Sequence, residues 1–333
     1  MDGLEKLGSV QFKVSCVFKT VVVEEGSKKR KYQTFKVIAS SELKPEIIEQ
    51  HESLKTAIIS EKLDGTCCLI QNWQGKPWLW ARLDRKLNKL SERKFRKVKI
   101  LHREWEKNGR TGEEPTFTWT DADFKDVPSC WQPASGVKIE NGIAQADING
   151  HIPGWIPVSP GSRQYCWHLT PVDFKLQIAL LLRENEHGLE IVAVPLDSIC
   201  GHTVELIGTN INGNPYGIGS RDAPIHMFVV HGSISNIKIP ELNREVLNEW
   251  FTSTQDGAIE GVVWHCEDGT LFKVHRHHLE LPWPVESPRL CQIPVYINVP
   301  FDTSENMWED NSLFRRLNSV HQQKFQNLSA LNV

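Results

Sequence analysis

Lys62 stands two places before an Asp-Gly turn in the run Glu61-Lys62-Leu63-Asp64-Gly65. Ala57-Ile58-Ile59 reads as a strand leading in, and Thr66-Cys67-Cys68-Leu69-Ile70 as one leading out. A lysine at such a junction can lie half-buried on the floor of a cleft. Desolvation and nearby cations there lower an ammonium pKa from about 10.4 toward neutrality and free the amine as a nucleophile. Four residues alone fit an ordinary surface lysine before a turn equally well, so the chemistry must be sought in what accompanies them.

A carboxylate and a second lysine lie far along the chain, in Glu260-Gly261-Val262-Val263 and Leu271-Phe272-Lys273-Val274. Asp268-Gly269 between them is a strong signal for a two-residue type I′ hairpin turn. That turn predicts Lys273 opposite Trp264 and His275 opposite Val262. Side chains alternate along a strand, so Glu260 would share one sheet face with Lys273 and His275. A three-residue turn would instead split Glu260 from Lys273. A carboxylate and an ammonium on one face are what a phosphate-and-metal site requires.

The elements that must position these groups read as follows. Val10–Val14, Val17–Val23 and Tyr32–Ile38 alternate as strands, with Lys28-Lys29-Arg30-Lys31 in a basic hairpin loop between the last two. Glu42–Ser53 reads as a short helix. Residues 66–83 form a hairpin around Gln74-Gly75 that sets Cys67 opposite Arg82, and 86–107 form a very basic helix. From 108 to 170 no period holds. Strands return at Gln177–Leu182, Leu189–Val194, Val204–Ile207, His226–Val230, Gly261–His265 and Leu271–His275. Leu242–Thr252 reads as an amphipathic helix, and Asn311–Leu328 as a terminal one.

With 333 residues, 40% apolar and 24% charged, the composition is globular. Nothing approaches the roughly 18 apolar residues of a membrane span, and Met1–Lys6 lacks the apolar core of a signal peptide. Eight cysteines without CxxC or framework spacing predict a reduced, intracellular protein of the cytoplasm or nucleus. A net charge of −3 offers no global case for nucleic acid, so any case must be local. Between Arg82 and Lys99 nine basic residues face two acidic ones. Arg85, Lys86, Lys94, Arg96 and Lys97 are the candidate phosphate contacts there, against the plainer reading of a solvated helix face. Trp119, Trp131, Trp155 and Trp167 could stack on unpaired bases, but core packing is the simpler expectation. His275, His277, His278 and Cys266 invite a zinc reading. Strand alternation would put His277 and His278 on opposite faces, and no second pair has ligand spacing.

The KxDG run resembles the signature of the covalent nucleotidyltransferases, which include ATP-dependent ligases and GTP-dependent capping enzymes. Its expected companions follow in order. Glu205-Leu206-Ile207-Gly208 resembles the third motif, His226–Gly232 the motif that sets a side chain (here Phe228) against the base, and the Glu260 and Lys273 segments the fourth and fifth. The longer stretches Glu61–Cys68, Trp80–Lys86, Gly150–Trp155, Glu205–Gly217 and Ile259–His278 resemble the metazoan ATP-dependent 5′-phosphate/3′-hydroxyl RNA ligases. The resemblance covers most of the chain and is weakest at the termini and from 100 to 150.

It implies an α+β nucleotidyltransferase core of antiparallel sheets flanked by helices. ATP would bind in an ATP-grasp-like cleft, and no complete C-terminal OB domain is expected. That core would span 1–280, with a loop-rich insertion at about 108–170 and an extension, 281–333, packed on it. Lys62 would accept AMP from ATP, pass it to an RNA 5′-phosphate, and leave a 3′-hydroxyl to seal the strand. Glu205 and Glu260 would hold magnesium or manganese, and Lys273 the α-phosphate. Glu61, Asp64, Gly65, Arg82, Phe228 and His275 would complete the nucleotide site. No obligate protein partner is implied. Related ligases often carry Arg or Asn where this chain has Cys67, and Lys where it has His275. The rival readings are a nucleotidyltransferase of the same core with GTP or another acceptor, and a non-catalytic RNA-binding module with a relic pocket.

Overall fold

Strand Ile58–Lys62 delivers the candidate nucleophile at its last residue, and its partners decide which side chains meet it. It lies at one edge of a four-stranded sheet, followed by Gly261–His265, Leu271–His275 and Ser15–Cys16. Lys62 pairs with Gly261, and Gly261 with His275; Ser60 pairs with Val263, and Val263 with Lys273. Directly paired residues share a face, so Lys62, Lys273 and His275 lie on one side. Val262, Trp264, Phe272 and Val274 take the other and pack with Leu247, Trp250 and Phe251 of helix Arg244–Ser253.

This register corrects the expected hairpin by one residue. The turn is a three-residue loop, Glu267-Asp268-Gly269, closed by Cys266 N–H to Thr270 O at 3.0 Å and Gly269 N–H to Cys266 O at 2.9 Å. Asp268 Oδ1 accepts the Thr270 N–H at 2.8 Å, and Gly269 takes the left-handed conformation at φ 82°. These two local preferences outweigh the type I′ alternative. Lys273 therefore pairs with Val263 and His275 with Gly261. Glu260 escapes the parity argument because the strand begins only at Gly261.

The computed structural model describes residues 9–23, 36–49, 51–300, 308 and 311–331. The basic loop expected at 28–31 lies outside them. The described chain divides into two units, one built from the residues up to Trp78 and from Ser159 onward, the other from Leu79–Val158. Mixed sheets with few helices are compatible with an α+β class. No helix among the described residues is long and apolar enough to cross a membrane.

In the first unit a second sheet runs in the order Lys324–Phe325, Val295–Asn298, Gly188–Pro195, Ile178–Asn185, His226–Val230, Thr203–Gly208, Thr66–Trp73. Most neighbours are antiparallel, but Val295–Asn298 runs parallel to Gly188–Pro195, and Ile178–Asn185 parallel to His226–Val230. Ile207, Met227 and Val229 bury one face with Trp283, Leu290, Leu313, Phe314, Leu317 and Leu328. The C-terminal residues thus form part of the main core. The helix expected over Asn311–Leu328 covers only Leu313–Asn318. Beyond it Gln322 donates to Ile297 O at 2.8 Å, and Lys324–Phe325 is drawn in as an edge strand. Two short helices, Pro45–Glu49 and His51–Thr56, replace the single one expected near Glu42–Ser53. The sequence around Val10–Val14 holds no strand, which starts at Ser15.

In the second unit Gly154–Pro157 pairs with Trp80–Arg82 and with Gln132–Pro133. Helix Lys89–Lys107 is capped by Asn88, whose side chain accepts the Leu90 and Ser91 N–H groups. Leu87, Phe124 and Ile152 form its core with Phe95, Trp119 and Trp131 against them, and Trp155 is buried. These three tryptophans pack the protein, as the simpler expectation had it. Trp167 belongs to the first unit and stacks on His226 at 5.0 Å.

Candidate active site

Two residues after Lys62 the chain must turn from one sheet into the other, and the Asp-Gly pair performs that turn. A Cβ on Gly65 would lie 2.3 Å from Leu206 O and 2.8 Å from Glu205 Cγ, so only glycine lets the turn press against the Glu205 strand. Asp64 anchors it. Its N–H donates to Tyr216 Oη at 2.9 Å, Trp283 Nε1 donates to its Oδ2 at 2.7 Å, and Asn212 Nδ2 donates to its Oδ1 at 3.0 Å. Asn212 also donates to Gly65 O.

Lys62 Nζ lies 2.6 Å from Glu260 Oε2, with side chains 25% and 13% exposed. The pair is thus largely desolvated yet reachable. Glu260 is set in place by Arg276, a buried residue that the sequence did not single out. Its Nε donates to Ile259 O and one Nη to Gly257 O, both at 2.8 Å, and its main-chain N–H donates to Glu260 O at 2.9 Å. The same Nη reaches Phe251 O. A fixed guanidinium fork therefore staples the loop that carries the carboxylate.

The electrostatics correct one expectation. Burial pushes the Lys62 ammonium down, but the carboxylates of Glu260, Glu205 and Asp64 outweigh it and hold its pKa above the ordinary lysine value. The lysine that is lowered is Lys273, to about 8, chiefly by burial and then by the Lys62 charge. Burial lifts the Glu260 carboxyl, offset in part by Lys62. Of the three carboxylates only Asp64 neighbours Lys62 in the sequence; the fold brings Glu205 and Glu260 to it and reverses the expected sign.

Glu205 presents Oε2 to His231 Nε2 at 2.8 Å, and His231 Nδ1 meets Thr203 Oγ1 at 2.9 Å. Cys67 is the cross-strand partner of Glu205. The His275 ring stacks on His278 with centroids 3.6 Å apart. Burial, then His278, Lys273 and Lys62, hold its pKa far below the ordinary histidine value, so it is neutral. Residues 276–279 form a 3₁₀ turn rather than a strand, which is why alternation did not describe His277 and His278.

Two expected contributors point elsewhere. Glu61 alternates away from Lys62 and lies buried with Oε2 3.3 Å from Arg289, whose other carboxylate contacts are Glu184 at 2.6 Å and Asp256 at 3.6 Å. One cation shared among three carboxylates leaves Glu61 poorly compensated, and burial pushes its pKa up to about 8. Phe228 is fully buried and pairs with Leu206, whereas Glu205 pairs with Val229. Phe228, expected to face the base, thus lies on the strand face opposite Glu205, and Val229 lies on the Glu205 face.

In the second unit Arg82 Nε bonds Asp84 Oδ1 at 2.6 Å, and its guanidinium lies 4.9 Å from the Trp155 ring centre. Arg85 bonds Asp121 at 2.5 Å and the Lys125 carbonyl at 2.8 Å. Arg96 pairs with Glu92 one helical turn away. Lys86, Lys94 and Lys97 are exposed.

A family model described as RNA ligase 1 matches residues 4–333. RNA ligase 1 of Rattus norvegicus is 44% identical over 99% of both chains, and that of Mus musculus 44% identical over 98% of both. RNA ligase 1 of Danio rerio is 41% identical over 97% of both. With matches spanning nearly its whole length, the chain belongs to the RNA ligase 1 family.

Proposed function

We propose that this protein is an ATP-dependent RNA ligase that joins 5′-phosphate to 3′-hydroxyl ends through a lysyl-AMP intermediate on a nucleotidyltransferase core. The observation that carries the reading is the Lys62–Glu260 contact on a face shared with Lys273. A relic pocket has no physical reason to keep desolvated charges, because each is costly to bury.

In the first step Lys62 Nζ attacks the α-phosphorus of ATP. An N–P bond forms, the bond from the α-phosphorus to the bridging oxygen breaks, and pyrophosphate leaves. The amine must shed a proton, and Glu260, 2.6 Å away with a carboxyl made more basic by burial, is placed to take it. Lys273 supplies positive charge for the α-phosphate, favouring the developing charge over the ground state. In the second step an RNA 5′-phosphate oxygen attacks the same phosphorus and releases Lys62. In the third a 3′-hydroxyl attacks the activated 5′-phosphate, a phosphodiester forms, and AMP departs.

Glu205 and Glu260 offer only oxygen donors, the hard set that magnesium or manganese takes. Three carboxylates bear on Lys62, so the site carries negative charge that a divalent ion can offset. Such an ion would neutralise phosphate charge as the pyrophosphate leaves. The neutral His275 supplies shape and hydrogen bonding on this face in place of a second cation. Asp64 and Gly65 hold the turn against the nucleotide pocket, while Glu61 contributes through its strand position. Arg82 is assigned to the nucleotide, and the exposed Lys86, Lys94 and Lys97, with Arg85 and Arg96, to RNA phosphates.

Incubation with radiolabelled ATP or GTP and a 5′-phosphorylated RNA tests the reading. Label from ATP on protein, then on RNA, then released as strands seal is the expected sequence. Label from GTP alone would make the protein a GTP-using nucleotidyltransferase of the same core, and label from ATP that stays on the protein and never reaches RNA would point to another acceptor.

A further inference from the structure

Cys67, Glu205 and His231 come together where the second sheet meets the Lys62 turn. One donor atom from each, Sγ, a carboxylate oxygen and an imidazole nitrogen, all lie within 4.8 Å of one another. Among the described residues this is the one trio of His, Cys, Asp or Glu that converges so closely. The nucleotide chemistry uses only Glu205 and has no need of the thiol or the imidazole.

We propose that Cys67, Glu205 and His231 form a binding site for a thiophilic divalent cation of the zinc type. Zinc takes sulfur at about 2.3 Å and nitrogen or oxygen at about 2.0–2.2 Å, which sets tetrahedral donors roughly 3.3–3.6 Å apart. His231 Nε2 and Glu205 Oε2, 2.8 Å apart in a hydrogen bond, have to part by about half an ångström to admit the ion, and the Cys67 sulfur, within 4.8 Å of both, to close on it. Three protein donors leave the fourth position open for water or a phosphate oxygen.

The histidine has the supporting partner that metal-bound imidazoles use. Its Nδ1 meets Thr203 Oγ1 at 2.9 Å, and its main-chain N–H donates to Thr203 O at 3.2 Å, which fixes the ring. Thr203 Oγ1 is itself held, accepting the Val10 N–H at 2.8 Å. A carboxylate only accepts, so the metal-free ring carries its proton on Nε2 toward Glu205. Binding moves the ring to the other tautomer. Nδ1–H then donates to Thr203 Oγ1, bare Nε2 faces the cation, and the Cys67 thiol proton passes to solvent. Sulfur and imidazole favour zinc over magnesium, whereas the Glu205 carboxylate by itself suits magnesium.

A soft ion here occupies a carboxylate that the proposed ligase chemistry assigns to magnesium. Zinc is therefore expected to block AMP transfer to Lys62, a consequence that rests on that reading, whereas binding itself does not.

The full-length protein titrated with cobalt(II) tests the site. Expected are one equivalent bound, a thiolate-to-cobalt charge-transfer absorption, and its loss on adding zinc. Cys67→Ser should abolish the absorption, and Glu205→Gln and His231→Gln should each weaken binding about tenfold or more. Thermal melts check that each variant is folded. Alkylation of wild-type Cys67, mapped by mass spectrometry, needs no variant and should be slowed by zinc but not by magnesium. An absent absorption in the wild type, one that persists in Cys67→Ser, or alkylation indifferent to zinc would each overturn the proposal. AMP labelling in zinc-free buffer reports the ligase reading separately.

Discussion

Lys62 Nζ and Glu260 Oε2 sit 2.6 Å apart although 198 positions separate them in the chain. The contact arises because Lys62 closes one strand, Glu260 precedes its neighbour, and Arg276 pins the Glu260 loop. It sets a nucleophile, a proton acceptor and a charge balance in one place.

Glu260→Ala should lower Lys62 adenylylation by about a hundredfold or more, the loss typical of a positioned base. Its melting temperature should fall as well, because removing one partner of a largely desolvated pair leaves the Lys62 charge poorly compensated. Stopped-flow release of pyrophosphate alongside thermal melts checks both. Full activity in the folded variant would make Glu260 a structural residue only.

Lys273 titrates at about 8, so its charge is present below that pH and lost above it. The kcat/KM for ATP reports the free enzyme and should fall above pH about 8 on this account. Lys273→Arg keeps the charge and should remove that falling limb, at a lower absolute rate because the fork is shaped differently. An identical alkaline limb in the variant would assign it to another group.

Glu61 holds its proton in the folded chain up to about 8, whereas the ordinary glutamate value is 4.5. The folded state binds more protons than the unfolded state between those values, so stability falls as pH rises through the window. Glu61→Gln keeps the shape without the ionisation and should melt at a nearly constant temperature while the wild type declines. A wild-type melting temperature that climbs instead would show that Arg289 keeps the carboxylate charged.

Replacing Lys94, Arg96 and Lys97 together by glutamine should weaken sealing and flatten its salt dependence, yet spare adenylylation. Each RNA phosphate that a side chain neutralises steepens the log–log salt dependence by about 0.7 for a single strand, so the variant should be shallower by that amount per phosphate. Arg96 already pairs with Glu92, so a change nearer the value for two phosphates than for three is expected. Equal impairment of both steps would mean that the helix supports the fold.

What was legible in the sequence were groups whose local pattern carries their role. The Asp-Gly turn after Lys62 and the alternation around Lys273 announce strands and a junction. The hairpin register was not legible, because the Asp268-to-Thr270 hydrogen bond decides between two turns that the same Asp-Gly pair allows. That single residue of slip changed the partners of Lys273 and His275. The face that Phe228 takes was not legible for a similar reason, since one step along a strand separates the Glu205 face from the other. Arg276, Arg289, Trp283 and His231 were missed because their partners lie in distant segments and no spacing marks them. The sign of the Lys62 shift depends on Glu205 and Glu260, which folding brings to join Asp64 and which no local window contains.

The central claim is that Lys62 becomes covalently adenylated, and mass spectrometry of the intact protein after incubation with ATP and magnesium tests it most directly. The predicted result is a gain of one adenylyl group, mapped by peptide sequencing to Lys62 and absent from a folded Lys62→Ala variant. An adduct that persists in that variant, or maps to another residue, would contradict it.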